Sequence, residues 1–280
     1  MALIEQLKYK FKTGDVSIKL IFICVGVFLL DSILRLFNFH ISGLFSVGAG
    51  MDGFFYQPWG ILTYVFFHGN LLHLALNMFM LFVAGKFFLR YFRDKDLLTF
   101  YFFGAICGGI LFALYSTWLG DNPASLVGAS AAVYSVFFAL VSYVPKMKVQ
   151  LAIVNIKLPL DYLAYGLLAF DLLMILAGNN DGGHVSHLGG AAFGFFYMKQ
   201  FEKGNDFLGK LGMVFSAFGK KTEKKTASRP KPPRDDYEFN SRKVEKQKKV
   251  DGILDKISRS GYESLSKDEK DFLFKSGRNG

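Results

Sequence analysis

Charge and cysteine are both scarce in the first two hundred residues of this 280-residue chain. The only two cysteines, Cys24 and Cys107, each lie within an apolar run, where a free thiol behaves as a small hydrophobe. They make no disulfide framework. Because so few charged residues separate the successive apolar runs, a water-soluble globular domain is also disfavoured.

Apolar residues dominate what is present. The chain is 51% hydrophobic and 17% aromatic, and its charged residues gather near the C-terminus, which is typical of a polytopic membrane protein with a soluble tail. The apolar stretches that predict spanning helices are 20–38, 59–89, 97–118, 130–145, 158–177 and 184–201. Since a spanning helix needs about 20 residues, we expect the fourth to be short. The predicted fold is all-α, a six-helix membrane bundle.

The predicted domains follow this division. They are a cytoplasmic N-terminus at 1–19, a membrane domain at 20–205, a basic flexible linker at 206–249 and a short cytoplasmic helical hairpin at 250–280. In the hairpin, Ser266-Lys-Asp-Glu269 matches a capping box. So small a hairpin buries little core, so we expect it to dock on a cytoplasmic partner. The net charge of +10 comes largely from these inner-face segments, which favours contact with the lipid bilayer and not with nucleic acid.

The distribution of Lys and Arg predicts the orientation. Neither residue occurs in the connecting segments 39–58, 119–129 and 178–183, whereas the other connections and the tail are basic. Because basic loops stay inside, we expect both termini to be cytoplasmic, in the inner membrane of a bacterial cell. Arg35 is an exception near the outer end of the first helix, but it follows Asp31 by four residues and can pair with it.

Four polar side chains within the apolar stretches are the candidates for a functional site. Ser130 and His187 lie in the first turn or so of the fourth and sixth predicted helices, and His73 and Asn77 lie four residues apart in the middle of the second. Hydroxyl, amide and imidazole groups are costly in hydrocarbon without a partner or a wet cavity. Since these three helices run in the same direction, we expect the four side chains to meet at one site open to the outside.

The residue types predict serine hydrolysis. A serine hydroxyl needs an adjacent base to remove its proton, and His187 is the candidate base for Ser130. A tetrahedral oxyanion needs donors placed in advance, which His73, Asn77 and the backbone N–H at Ser130 can provide. Gly128 lets the backbone approach this point without a side chain. No cluster of residues has metal-ligand spacing, so neither a metal nor another cofactor is expected.

The sequence around the candidate base predicts close helix packing. Gly190 and Gly194 follow His187 by three and seven residues on the same helical face, and small residues let two membrane helices approach closely. Tyr134, one turn below Ser130, would then lie against the imidazole and help to fix it.

Three further polar residues at or near membrane depth receive no catalytic assignment. Asp171, in the fifth predicted helix, is the only nearby acid at that depth, and no acidic third member of the site is evident in the right place. For His68 and His184, a solvated or structural role is favoured over catalysis.

The motifs occur along the chain in the order His73-x-x-x-Asn77, Gly128-x-Ser130 and His187 with Gly190 and Gly194. In this order they resemble those of the rhomboid family of intramembrane serine proteases. The resemblance covers about residues 55–205 and includes the run from Trp59 to His68. It implies a Ser130–His187 dyad without an aspartate and substrates that are themselves membrane-spanning helices, cut near or within the bilayer. The further roles implied are an oxyanion hole that includes His73 and Asn77, and a stacking role for Tyr134.

One position departs from the family pattern. Family members often carry Arg directly after the Trp of the first outer loop, and this chain has Gly60 there. The departure concerns the anchoring of that loop and not the chemistry.

Three other classes of membrane protein compete with a protease. A haem protein would use His73 and His187 as axial ligands but would leave the Gly128-x-Ser130 motif unexplained. A transporter is disfavoured because the two halves show no inverted repeat. A catalytically inactive rhomboid-like protein, which binds membrane helices without cutting them, is the principal alternative, although the nucleophile, base and oxyanion partners are all present here.

Overall fold

The computed structural model describes residues 3–120, 125–151 and 156–208, together with 252–253, 256–257, 264–266 and 268–272. Its helices are α1 Leu3–Thr13, α2 Val16–Arg35, α3 Ser42–Phe45, α4 Gly50–Tyr56, α5 Gly60–Thr63, α6 Leu71–Phe88, α7 Asp94–Trp118, α8 Ser130–Tyr143, α9 Leu160–Leu176 and α10 Asp181–Glu202. A 3-10 turn, Tyr64–Phe66, follows α5. The two strands are β1 Lys148–Leu151 and β2 Ile156–Pro159.

The expectation of a mostly helical membrane protein is confirmed. Among the described residues, α2, α6 and α7 are long and apolar enough to cross a membrane, and α8 is a shorter apolar helix of 14 residues. Helices α9 and α10 occupy the remaining two predicted segments. A count of six membrane crossings stays a prediction.

The second apolar segment differs from the single long helix expected over 59–89. The chain forms α5 and the 3-10 turn, and α6 begins only at Leu71. The side chain of Asn70 accepts a 2.8 Å hydrogen bond from the backbone N–H of His73, which satisfies a donor that the first helical turn leaves open. His73 therefore lies in the first turn of α6 and not in the middle of a helix.

A β-hairpin between α8 and α9 departs from the all-α prediction. Strands β1 and β2 pair antiparallel, with Lys148 opposite Pro159 and Gln150 opposite Lys157. Four-residue strands are too short for their alternation to stand out in a sequence. Beside the hairpin, the ammonium of Lys146 lies 2.6 Å from the carboxylate of Asp161, which joins the end of α8 to the start of α9.

Side chains directly before α5 anchor the segment between α2 and α6. Trp59 Nε1 donates to the carbonyl of Leu44 at 2.7 Å, and Gln57 Nε2 donates to that of Gly43 at 3.0 Å. A side chain at Gly60 would overlap the carbonyl oxygen of Ser46. Position 60 therefore holds glycine because the backbone of α5 packs directly on the preceding turn, which leaves no room for the family's arginine.

The ion pair expected within α2 is present. Arg35 Nε donates to Asp31 Oδ2 at 2.9 Å, and the other carboxylate oxygen of Asp31 accepts from the backbone N–H of Ser42 at 3.2 Å. The buried carboxylate therefore ties the end of α2 to the beginning of α3.

Glycines bring α7, α8 and α10 into contact at their backbones. A side chain at Gly190 would overlap the carbonyl of Ala131, and one at Gly194 would overlap that of Ser135. Gly104 of α7 makes room for the Ser135 side chain from the other direction. Because both α10 glycines meet α8 at a spacing of four residues, the two helices run side by side over at least one full turn.

The C-terminal tail is described only in part, so the predicted linker and hairpin lie mainly outside the described residues. Within them, Ser266 and Glu269 form a reciprocal capping pair, in which Glu269 accepts from the Ser266 N–H at 2.7 Å and Ser266 Oγ accepts in return at 3.2 Å. Lys256 reaches the same glutamate at 2.8 Å.

Candidate active site

Ser130 is the first residue of α8 and follows a turn that only glycine accommodates. Gly128 has φ +132°, a conformation that side-chain-bearing residues rarely adopt. A Cβ at that position would lie 2.6 Å from Cε1 and 2.8 Å from Nε2 of His73, and 3.7 Å from the Ser130 hydroxyl oxygen. The glycine therefore lets the His73 ring lie directly against the turn that presents Ser130.

His68 occupies a buried position behind the same turn, not one at the surface. Its Nε2 accepts a 3.4 Å hydrogen bond from the backbone N–H of Ala129, and its ring packs edge-on against His73 at 5.3 Å. This contact supports a structural role. It also engages the N–H of Ala129, so the N–H of Ser130 is the backbone donor better suited to an oxyanion.

Asn77 is buried in the second turn of α6, on the face that carries His73. Its Nδ2 donates to the carbonyl oxygen of His73 at 2.9 Å. An amide nitrogen carries two hydrogens, so one donor remains for a further acceptor.

The candidate base lies against α8. The rings of His187 and Tyr134 stack with their centroids 4.4 Å apart and an interplanar angle of 25°. Tyr134 is one turn along α8 from Ser130, so the stack brings the imidazole close to the beginning of α8. The structure thus brings Ser130, Tyr134, His187 and His73 to one place.

The hydrogen bonds of the described residues do not include one between Ser130 and His187. In proteins without bound substrate, catalytic hydrogen bonds are often long and tighten only in the complex.

An aspartate to which the sequence pattern assigned no role also reaches this site. Asp171 in α9 is fully buried, and its Oδ1 lies 2.8 Å from Nδ1 of His187 and 2.6 Å from Nδ1 of His184. Asp171 and His187 are separated by 16 residues and lie on different helices, so spacing alone does not pair them. The usable signal was the acid itself, because an ionisable residue within an apolar helix is by default a candidate for function.

The same three side chains form the one cluster of metal-ligand type among the described residues. Their donor atoms lie within 4.8 Å of one another. Two hydrogen bonds, both to Oδ1 of Asp171, join these donors in the structure.

A cavity of about 590 Å³ opens beside the site, between α8, α9 and α10. It is lined mainly by apolar side chains and includes Leu188, directly after the candidate base, but neither Ser130 nor His187 lines it.

Fold and site together define a polytopic helical membrane protein. A serine is the first residue of one helix, and a histidine of a neighbouring helix lies close to that serine. A family model described as the rhomboid domain matches residues 56–201, slightly more than half of the chain. The chain belongs to the rhomboid family. A second model, for a family of unknown function, matches residues 235–275 in the tail.

Similar proteins carry rhomboid names. The chain is 32% identical over 117 residues to rhomboid-like protease 3 of Toxoplasma gondii, which covers 40% of this chain and 44% of the relative. It is 25% identical over 134 residues to presenilin-associated rhomboid-like protein A, mitochondrial, of Danio rerio, covering 48% and 35%. It is 26% identical over 157 residues to RHOMBOID-like protein 12, mitochondrial, of Arabidopsis thaliana, covering 51% and 46%. The matched region therefore spans less than half of each curated relative.

Proposed function

We propose that this protein is an intramembrane serine endopeptidase that cleaves transmembrane-helix substrates near or within the bilayer. The observation that carries the proposal is the His187 ring, stacked on Tyr134 one turn from Ser130. The name of one relative, rhomboid-like protease 3, supports the same activity.

In the proposed reaction, Ser130 is the nucleophile and His187 the general base. The Ser130 oxygen bonds to the scissile carbonyl carbon as its proton passes to His187, and the carbonyl π electrons move to the oxygen. His73, Asn77 and the N–H of Ser130 donate to that oxyanion. The histidine then returns its proton to the leaving amine as the C–N bond breaks, and water releases the acyl group by the reverse roles.

The proposed orientation places both termini in the cytoplasm and the site toward the opposite side. It depends on the absence of Lys and Arg from 39–58, 119–129 and 178–183. We propose the inner membrane of a bacterial cell as its location, although the names of two relatives carry the word mitochondrial. Reporters fused after Gly280 and inserted near Gly182 should report opposite sides of the membrane, and reporters on the same side would contradict the six-helix topology.

The test of the activity compares two serines of one helix. Purified protein is incubated with a panel of single-span substrates and, separately, with a fluorophosphonate probe. Ser130→Ala should abolish both cleavage and labelling, whereas Ser142→Ala, the same change near the other end of α8, should preserve both. Cleavage by folded Ser130→Ala would overturn the assignment.

The alternative is a rhomboid-like protein that binds membrane helices without cutting them. It would be favoured if the wild-type protein bound single-span substrates but cleaved none of them and took up no probe.

The tail has a separate proposed role, docking on a cytoplasmic partner.

A further inference from the structure

Asp171 is an unusual residue for the position that it occupies. Helix α9 buries only four of its 17 residues, and about half of its apolar side chains are exposed. Asp171 is nevertheless fully buried within the protein. An ionised carboxylate in such surroundings is costly unless it is paired or hydrogen bonded, so its neighbours indicate what it is for.

Those neighbours converge on one oxygen atom. Oδ1 of Asp171 lies within hydrogen-bond distance of Nδ1 of both His187 and His184. The second oxygen, Oδ2, has no well-formed hydrogen bond, although the Tyr134 side chain interacts with the same carboxylate. An ionised carboxylate accepts hydrogen bonds and donates none, so each imidazole must present its Nδ1–H to it.

This arrangement selects one tautomer of the candidate base. A neutral imidazole with its hydrogen on Nδ1 has its lone pair on Nε2, and the bond made by one ring nitrogen decides which nitrogen is free. The carboxylate and the stacked Tyr134 ring together restrict both the rotation and the tilt of the His187 ring. When His187 takes the proton of Ser130, the imidazolium keeps the same hydrogen bond to a negative charge.

We propose that Asp171 is a positioning residue for His187, so that the site of this chain works as a serine, a histidine and an aspartate contributed by three different helices. Asp171 holds the Nδ1–H tautomer before the reaction and stabilises the imidazolium during it, without accepting the proton itself. The proposal rests on the proposed peptidase function. His184 is the second donor to the same oxygen and is not required for the proton transfer.

The first experiment separates rate from binding. Asp171→Asn should lower kcat by roughly 10²-fold or more while KM changes little, because the amide does not enforce the tautomer or balance the imidazolium charge. The rate of fluorophosphonate labelling should fall in parallel. Asp161→Asn is the matched control, since Asp161 is also a buried acid of α9 but pairs with Lys146. Unchanged kcat in Asp171→Asn, or an equal loss in Asp161→Asn, would overturn the proposal.

A second experiment covers the case in which the substitution weakens the fold. In a His187→Ala background, Asp171→Asn should cause no further loss of the residual rate per folded molecule, because the group that it positions is gone. A further loss would indicate a structural role and would overturn the proposal. His184→Ala in the wild-type background should change kcat by less than about threefold.

Two outcomes distinguish the possible failures. If wild-type protein neither cleaves nor takes up the probe, the proposed function itself fails. If Ser130→Ala abolishes labelling but Asp171→Asn labels at the wild-type rate, only the role of Asp171 fails. Inhibition by EDTA that added Zn²⁺ reverses would also overturn the proposal, because a metal on Asp171, His184 and His187 would occupy the nitrogen assigned to the hydrogen bond.

Discussion

Helices α8 and α9 contribute to the same site but are packed in opposite ways. Twelve of the 14 residues of α8 are buried, against four of the 17 in α9. Helix α8 presents Ser130 at its first position, and α9 presents Asp171 from its C-terminal half, where its other residues are not buried. The difference suggests a division of roles: the nucleophile is held by backbone packing, and the acid is held mainly by the hydrogen bonds that it accepts.

Two glycines, one packed against α8 and one within α9, differ in the same way in the space around them. Gly190 meets the backbone of α8, with no space for a side chain, whereas a Cβ at Gly166 of α9 would meet no atom within 4 Å beyond the backbone of its own helix. The same residue type is therefore a packing requirement on one side of the site and has no packing role on the other.

The largest expected effect on stability tests this contrast directly. Gly190→Ala should destabilise the fold by about 3 kcal/mol, the upper part of the usual range for overpacking, because the obstructing atom is a backbone carbonyl that cannot rotate away. Gly166→Ala should be neutral or stabilising by up to about 1 kcal/mol, because alanine favours the helix. Thermal unfolding of both variants in the same detergent measures the difference. Similar losses at both positions would contradict the contrast.

The second-largest expected effect is a loss of cleavage rate on substitution of residues in α6, whose first turn lies against the beginning of α8. His73→Ala and Asn77→Ala should each lower the cleavage rate by roughly 10²-fold, about 2.7 kcal/mol in the barrier, if both groups stabilise the oxyanion. The double variant should fall short of the product of the two effects. Activity per folded molecule is measured together with the melting temperature.

The control is His40→Ala, at an exposed histidine between α2 and α3, which should leave turnover unchanged. A purely structural Asn77, bonded only to the His73 carbonyl, would be worth about 1 kcal/mol of stability and would leave turnover nearly constant. That result would remove Asn77 from the site.

The sequence predicted how α8 contributes to the site, but it predicted little of what α9 contributes. Local spacing places Tyr134 one turn from Ser130 and puts Gly190 and Gly194 on one face, because residues three or four apart on a helix are neighbours. Local spacing does not set the rotation of one helix about its axis relative to another. The pairing of Asp171 with His187 depends on that rotation, and so it emerged only from the tertiary structure.

The beginning of α6 shows a different limit. Residues 59–89 are mostly apolar apart from the short stretch His68-Gly69-Asn70, and averaged over the whole range they predict one helix. The break depends on the Asn70 cap and on the burial of His68 behind Ala129. Both are polar contacts that an average over apolar residues does not detect.

The smallest expected effect is on stability and comes from a comparison of the two sides of α8. Ser135 faces α7 and donates to the carbonyl of Phe100 at 2.7 Å, whereas the buried hydroxyl of Ser142 has no hydrogen-bond partner and lines the cavity beside α9. Ser135→Ala should cost about 0.6 kcal/mol, because side-chain hydrogen bonds between membrane helices contribute little net stability. The cost stays low because the Phe100 carbonyl keeps its backbone hydrogen bond within α7. Ser142→Ala should cost nothing, since it removes a desolvated hydroxyl that gains no bond on folding. Chemical unfolding of both variants in one lipid mixture resolves the difference, and a larger loss at Ser142 would mean that the α9 side of α8 is as closely specified as the α7 side.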